Sequence, residues 1–402
     1  MFLRFVVKNF KSFKDEVVLD LTASSIKENE STLLEKNGVK VLPVIGIYGA
    51  NACGKSNLFK AFKLMQNSVV NISSLQRYTA AEPYIFSNES VLQPSEFEVS
   101  ISIGDKEYRY GFEKKQDKYI SEWLFCKNFR KNTTSKEKLV FYRGYDDFES
   151  DIQNKLDIEE LSFINSMITS NELILSVIGK RRKTHYSEVY DWFKMKSSML
   201  DYSNDNFEKV VINQVARFIY KYPDVKEEIF KYVNDMDPCI KDLIVEKEDD
   251  SDNYILYTKH ITENGKSLKM KIDNESSGTK KLISLAIDIY LSVIGNSPLF
   301  IDEFDAKLHP LMIRKLINIF NSQSSNENKT FGQLIFTSHN LVCLDSKDLR
   351  RDEVWFIEKN DQSSSLYSLY DFKDDGKNFR SDLSFGKNYL SGRFGAIPFQ
   401  EN

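Results

Sequence analysis

The sequence is poor in cysteine, and its four cysteines are scattered: Cys53, Cys126, Cys239 and Cys343 stand far apart, with no CxxC pair. That argues against a zinc site and a disulfide framework, and suits a reducing compartment. Long apolar runs are also missing. No stretch approaches 18 consecutive apolar residues, so no segment reads as a membrane span. The opening residues Met1–Phe10 alternate and carry charge at Arg4 and Lys8, the pattern of a strand rather than a secretory leader. A cytoplasmic protein is the expectation. Nor is there an excess of one charge: 55 Lys and Arg against 59 Asp and Glu leave a formal net charge of −4. Contact with nucleic acid or an anionic membrane would therefore need a local patch. No internal repeat is visible, and no heptad persists long enough for an extended coiled coil. What remains is the composition of an ordinary globular chain, 41% hydrophobic and 28% charged over 402 residues. Such a length suits one large domain with an insertion, or two to three lobes.

Against this background one stretch stands out. Gly49-Ala50-Asn51-Ala52-Cys53-Gly54-Lys55-Ser56 follows the apolar run Val44–Tyr48 and precedes the helical pattern Leu58-Phe59-Lys60-Ala61-Phe62. Strand, glycine loop and helix form the context that a G-x-x-x-x-G-K-S match requires of a phosphate-binding loop. Glycines let successive backbone N–H groups turn inward around phosphates, at a helix N-terminus whose dipole favours anions. Lys55 supplies a positive charge to the β- and γ-phosphates, and Ser56 a hydroxyl to Mg²⁺. Gly49, Asn51, Gly54, Lys55, Ser56 and Asn57 are the expected contacts to ATP. Cys53 lies in the loop near a helix N-terminus, where a thiol pKa can be lowered, but the position reads as a tolerated filler.

Around the loop, residues 1–48 read as β-rich, with Phe5–Val7 and Val17–Leu21 flanking a polar turn at Lys11–Glu16. Ser95–Phe112 alternates as a hairpin about Gly104-Asp105, extended by a pairing of Tyr119–Phe125 with Leu139–Tyr142. Lys127–Lys138 between them reads as a basic, solvated loop, with a nucleic-acid contact as the alternative. From Ile152 to Ile240 apolar residues recur at three- and four-residue spacing, as helices. Within that region Gly179-Lys180-Arg181-Arg182-Lys183 is the densest basic cluster, an exposed turn or a patch for phosphate backbone. Residues 241–272 return to strands, with a turn at Asn264-Gly265. The acidic run Glu246–Asp252 and the short polar stretches Ser322–Asn328 and Asp361–Ser365 read as loops.

Two further strands end in reactive side chains. Pro298–Ile301 is followed by Asp302 and Glu303, and Leu334–Phe336 by Thr337-Ser338-His339. A strand-end Asp can hold Mg²⁺ and the next Glu can polarise the attacking water. His339, one of only four histidines, can reach a γ-phosphate as a donor. Between these strands and the loop, Glu275-Ser276-Ser277-Gly278-Thr279-Lys280 opens a helix whose buried face is Leu282, Leu285, Ile289 and Val293. Hydroxyl residues and a glycine at a helix start make a second anion-ready surface.

Taken in order, these motifs resemble an ABC-class ATPase head. The resemblance implies an α/β fold, a P-loop sheet with an antiparallel β-subdomain plus an α-helical insertion. Its lobes would be 1–150, 151–240 and 241–402. It makes Ser276, Ser277, Gly278 and Thr279 the signature motif, Asp302 and Glu303 the Walker B pair, Asp305 the D-loop and His339 the switch histidine. Val7–Phe13 is similar to the first strand of RecF- and SMC-type heads. Glu275–Thr279, Asp302–Asp305 and Leu308-His309-Pro310 resemble ATPases of bacterial abortive-infection and phage-defence systems, of the RloA/AbiL type, related to OLD and PARIS ATPases. Two departures are Ser277 and Glu275, where transporter heads carry glycine and an apolar residue. A Q-loop glutamine has no clear position, Gln76 and Gln93 lying in the plausible stretch. The tail Tyr389–Pro398 reads as packed turn glycines.

By resemblance, two copies would sandwich ATP head to tail, Lys55 of one facing Ser276 and Gly278 of the other. Glu303 would act as general base, Lys55 and His339 at the γ-phosphate, and Asp302 with Ser56 at Mg²⁺. The expected role is a slow, regulatory ATPase that senses phage and controls a separate effector, a nuclease by expectation, since no nuclease signature stands in this chain. The alternative is a RecF- or SMC-like repair or chromosome-maintenance ATPase in contact with nucleic acid.

Overall fold

The five residues Val44–Tyr48 form a strand on which both halves of the molecule are built. All five are buried, and alternate side chains feed different cores. Ile45 and Ile47 pack with Phe2, Phe5 and Phe62, while Val44 and Tyr48 pack with Leu282, Leu285 and Phe336. Burial on both faces is why this strand is a continuous apolar run rather than an alternating one. At Gly46 a Cβ would lie 2.9 Å from the Phe336 ring and 3.3 Å from Leu349. A side chain there has no room.

The computed structural model describes residues 1–70, 80–130, 133–134, 136–144, 168–180, 185–195, 198–201, 205–248, 253–325, 330–345, 347–374, 377–378 and 384–397. Among these, one sheet orders its strands Ser198–Asp201, Pro298–Asp302, Gln333–Thr337, Val44–Tyr48, Val354–Asn360 and Ser363–Ser368. The first five run parallel and the last antiparallel. A second, antiparallel sheet runs Lys138–Gly144, Lys118–Arg130, Lys106–Lys115, Ser95–Ile103, Phe2–Lys8, Val17–Asp20. The helix Lys55–Val70 lies between the two sheets: its Phe62 stacks on Phe300 of the parallel sheet (4.3 Å) and meets Phe5 of the antiparallel one edge-on (5.4 Å). The fold is thus mixed α/β, a parallel P-loop sheet with an antiparallel β-subdomain, as the motif order implies.

Most strands stand where alternation puts them. Phe5 pairs with Leu19 and Val7 with Val17; Ile103 and Lys106 close the hairpin over Gly104-Asp105; Leu139 pairs with Phe125 and Tyr142 with Trp123. Asn264-Gly265 lies in a wider connection, Thr262–Lys266, in which the Gly265 N–H donates to the Thr262 carbonyl (2.8 Å).

Three polar stretches expected as loops contain strand. Lys127–Arg130 continues the strand that begins at Lys118, and Thr133–Thr134 folds back on it. Its polar residues sit in a sheet because Lys127 pairs across with Glu107 (3.4 Å). Glu246 and Lys247 end the strand Asp242–Lys247, with Glu246 paired to Lys269. Ser363–Ser368 is the edge strand of the parallel sheet, turned at Asp361 and Gln362 with φ of 46° and 70°.

The region 151–240 is helical at Ile174–Ile178, His185–Met195, Asp205–Lys221 and Pro223–Met236, but it also supplies the strand Ser198–Asp201 to the sheet edge. His185–Met195 packs on the helix Lys55–Val70, where the Gln66 amide donates to the Phe193 carbonyl (2.9 Å) and Trp192 meets Phe62 edge-on. Val215, Ile219, Ile229 and Val233 share a core with the helix Ser277–Gly295. Arg181, Arg182, Lys183 and Gln76 lie outside the described residues.

Candidate functional site

Because the central strands run parallel, their C-terminal ends gather at one edge of the sheet, the edge where open α/β sheets carry ligands. Val44–Tyr48 delivers the glycine loop there. Gly49 and Gly54 take φ of 154° and 115°, and Ala52 takes 60°. At Gly49 a Cβ would come within 2.3 Å of the Ile357 carbonyl oxygen; at Gly54, within 2.6 Å of both the Ser12 and Ser364 hydroxyls. Both glycines are therefore required by close approach and not only by backbone conformation. The loop is braced from outside: the Ser364 hydroxyl donates to the Cys53 carbonyl (2.5 Å), and the Asn57 amide donates to Ser12 Oγ (2.9 Å). Asn57 thus faces the N-terminal turn. Asn51 is exposed, and Ser56 is half-buried on the first turn of the helix.

Lys55 is buried and donates to the Gly49 and Ala50 carbonyls at 2.8 and 2.9 Å. Burial pulls its ammonium below the usual lysine range, while the thiol of Cys53 and the charges of Asp302, Asp305 and Glu303 oppose this. A lysine shielded from water yet in the field of three carboxylates is suited to a polyanion that brings its own metal ion. Cys53 is a buried filler of the loop, and its thiol is not activated by the helix N-terminus. Its thiol is 2% exposed and burial raises its pKa, an effect larger than that of Lys55 or the loop backbone.

The acidic pair stands one strand beyond its neighbour. Asp302 ends the strand Pro298–Asp302, and Glu303 turns away with φ of 51°. Thr337, on the adjacent strand, holds both: its hydroxyl donates to Asp302 Oδ1 (2.5 Å) and accepts the Glu303 N–H (2.9 Å). The Thr337 carbonyl accepts the Phe304 N–H (2.9 Å). Two residues further on, the His339 N–H donates to Asp305 Oδ1 (3.3 Å). Burial and then the Lys55 charge pull the His339 imidazole below its ordinary pKa, against the opposing charges of Asp305, Glu303 and Asp302. Glu303 and His339 are exposed, facing away from the core.

At the start of the helix Ser277–Gly295, Ser276 is the N-cap and accepts the Thr279 N–H (3.1 Å). Ser276 and Ser277 are exposed, whereas Thr279 is buried and shares its hydroxyl with Ser276 Oγ (2.9 Å) and Asp237 (3.5 Å). Thr279 therefore holds the helix start in place, and the serines with Gly278 form its outer surface. Glu275, unusual at this position, binds His260 Nε2 at 2.7 Å and ties the motif to the strand Tyr254–Ile261.

A cleft of about 1120 Å³ opens beside the loop, lined by Gly49–Cys53, His339, the turn Glu358–Gln362 and the tail residues Leu390 and Ile397. The tail glycines are turn residues, Gly392 and Gly395 having φ of 77° and 69°. The tail also reaches the site: the Ala50 N–H donates to the Ala396 carbonyl (3.0 Å), as does the Tyr389 hydroxyl (2.9 Å). Gln93 is exposed, the C-cap of the helix Asn88–Leu92.

Mg²⁺ fits as a shared ion. Ser56 offers one hydroxyl, and Asp302 has one oxygen engaged by Thr337 and the other for a ligand. Among the described residues no cluster of three or more His, Cys, Asp or Glu side chains could hold a metal by themselves. One hydroxyl and one carboxylate suit Mg²⁺ completed by phosphate oxygens and water.

Sequence reasoning missed four contributors: Thr337, Lys281, Ser12 and Ser364. Lys281 had a readable signal. The stripe Leu285, Ile289, Val293 steps by four, and its next position towards the N-terminus is Lys281.

Residues 44–345 match the family described as AAA domain, putative AbiEii toxin, Type IV TA system. No curated protein matches. Among solved structures, an SMC head bound to the C-terminal winged-helix domain of ScpA is 14% identical, covering 91% of this chain and 97% of that one with a TM-score of 0.49. An SMC head of Thermotoga maritima is 13% identical (91% and 98% covered, TM-score 0.44). An SMC head with an extended coiled coil bound to the C-terminal domain of ScpA, from Pyrococcus furiosus, is 15% identical (91% and 96%, 0.47). At these identities and scores the likeness carries no argument about this chain.

Proposed function

The chain belongs to the AAA domain family described as a putative AbiEii toxin of type IV toxin–antitoxin systems, and on that footing we propose that it is an ATP-hydrolysing switch that pairs with a second copy around ATP and governs a defence effector. The observation that carries the reading is the convergence at one sheet edge of Lys55, the Asp302-Glu303 turn and His339, linked by Thr337 and Asp305.

The roles follow from the chemistry of each group. Backbone N–H groups of the loop and the Lys55 ammonium neutralise the β- and γ-phosphates. Ser56 and Asp302 would hold Mg²⁺, which would supply charge neutralisation to the phosphates. Water attacks the γ-phosphorus; Glu303 takes its proton, the bond to the β-phosphate oxygen breaks, and ADP and inorganic phosphate leave. His339 donates an N–H to a γ-phosphate oxygen. The exposed Ser276 and Ser277 and the half-buried Gly278, on a capped helix N-terminus, would complete the pocket of a second copy, so that ATP acts as glue and hydrolysis releases it. Phage defence and a separate effector, a nuclease in this reading, are inferred from the defence-type motif forms; the family description adds only the link to a toxin–antitoxin system.

The test is Glu303→Gln, which keeps shape and removes the base. With ATP and Mg²⁺ the variant should run as a dimer on size exclusion and hydrolyse ATP at least about 100-fold more slowly than wild type. A variant that remains monomeric with ATP bound defeats the sandwich.

A further inference from the structure

We propose that Lys281 is a positioning residue that sets the Glu303 turn and ties it to the helix start carrying Ser276 and Ser277. The proposal rests on the ATPase reading above. Lys281 is 0% exposed, on the second turn of the helix Ser277–Gly295. Its ammonium donates to three carbonyls of the acidic turn, those of Glu303 (3.2 Å), Phe304 (3.1 Å) and Ala306 (2.7 Å).

That turn needs support. Glu303 and Lys307 stand at φ of 51° and 62°, a region that residues with side chains hold only when their surroundings impose it. An ammonium has three donors and no acceptor, so one lysine can gather carbonyls that converge on a point. The Glu303 backbone is thereby held from both sides, its N–H by Thr337 and its carbonyl by Lys281. The same helix presses on the turn a second time: a Cβ on Gly278 would lie 3.0 Å from the Lys307 carbonyl oxygen.

Two surfaces with different tasks are thus one mechanical unit. The exposed serines face outward at the helix start, and Glu303 is fixed to that helix one turn later. A shift of the helix when Ser276 and Ser277 meet phosphate carries the Glu303 backbone with it. Lys281 touches neither phosphate nor water in this scheme; it acts through Glu303.

The experiment compares full-length wild type, Lys281→Met and Lys281→Ala, with Lys55→Ala as the binding-defective control. ATPase kinetics, equilibrium binding of a fluorescent ATP analogue and thermal melting are read for each. Lys281→Met should bind nucleotide within about threefold of wild type while kcat falls about 100-fold, the loss that a misplacement of about 1 Å brings. Ethylammonium added to Lys281→Ala should restore part of kcat. A folded Lys281→Met with kcat within threefold of wild type overturns the proposal. If the Met variant does not fold, Lys281→Ala, which removes the donor, is read by the same split, and an unchanged kcat there is equally fatal. A wild-type protein that binds ATP without hydrolysing it defeats the ATPase reading, and this proposal with it.

Discussion

Replacing Thr337 by valine tests the geometry of the site most directly, because the two side chains have nearly the same shape and differ in one hydroxyl. That hydroxyl is buried; it donates to Asp302 Oδ1 at 2.5 Å and accepts the Glu303 N–H at 2.9 Å. The first is a charge-assisted bond, worth roughly 1.5–3 kcal/mol, and the orphaned N–H of the second costs roughly 1–3 kcal/mol. Asp302 is half-buried and Glu303 exposed, so water can repair part of the loss. A destabilisation of about 2–3 kcal/mol is expected for Thr337→Val. Thr337→Ser keeps the hydroxyl and loses one methyl group, for about 1 kcal/mol. The assay is the urea midpoint of wild type and both variants, with ATPase rate alongside. Valine should also lower kcat more than tenfold by releasing the Glu303 backbone, and serine should largely retain it. Stabilities of the two variants within about 0.5 kcal/mol of each other would refute the claim that the hydroxyl, rather than the methyl packing, holds the turn.

Two further outcomes follow from burial elsewhere. Lys114 is buried against the Tyr119 hydroxyl (3.0 Å), and burial pulls its ammonium down to about 8. The unfolded chain keeps that proton to about pH 10.4, so between these values the unfolded state binds more protons and stability rises with pH, by up to about 3 kcal/mol. Urea midpoints at pH 7.5 and 9.5 should show this rise in wild type and not in Lys114→Met; a flat wild-type response refutes it. The cysteines should separate by burial. Cys239 is exposed and Cys53 is 2% exposed with a raised pKa. A thiol reagent should label Cys239 in the native protein and Cys53 only after denaturation, with or without ATP. Rapid native labelling at Cys53 would contradict the packing of the loop.

The sequence alone determined the elements whose cause is local. The glycine loop was readable because Gly49 and Gly54 answer to backbone conformation and close approach within a strand–loop–helix of some twenty residues. The hairpin over Gly104-Asp105 was readable because alternation and a two-residue turn specify register without distant help. The strand ends at Asp302 and His339 were visible as apolar runs stopping at polar side chains. Only the tertiary structure decided what those ends face. The strand order places Pro298–Asp302 beside Gln333–Thr337, and so turns Thr337, unremarked in sequence, into the clamp on Asp302 and Glu303. It drew Ser198–Asp201 into the parallel sheet from a stretch whose pattern is helical, because an edge strand gains its ladder from a neighbour distant in the chain. It buried Cys53, reversing the direction of its pKa, since desolvation outweighs a helix N-terminus once water is excluded. It also brought the Ala396 carbonyl to the Ala50 N–H and the Lys281 ammonium to three carbonyls of the Glu303 turn. Those contacts join groups far apart in the chain, and a buried polar group chooses its partner by which backbone atoms the packed core leaves within reach.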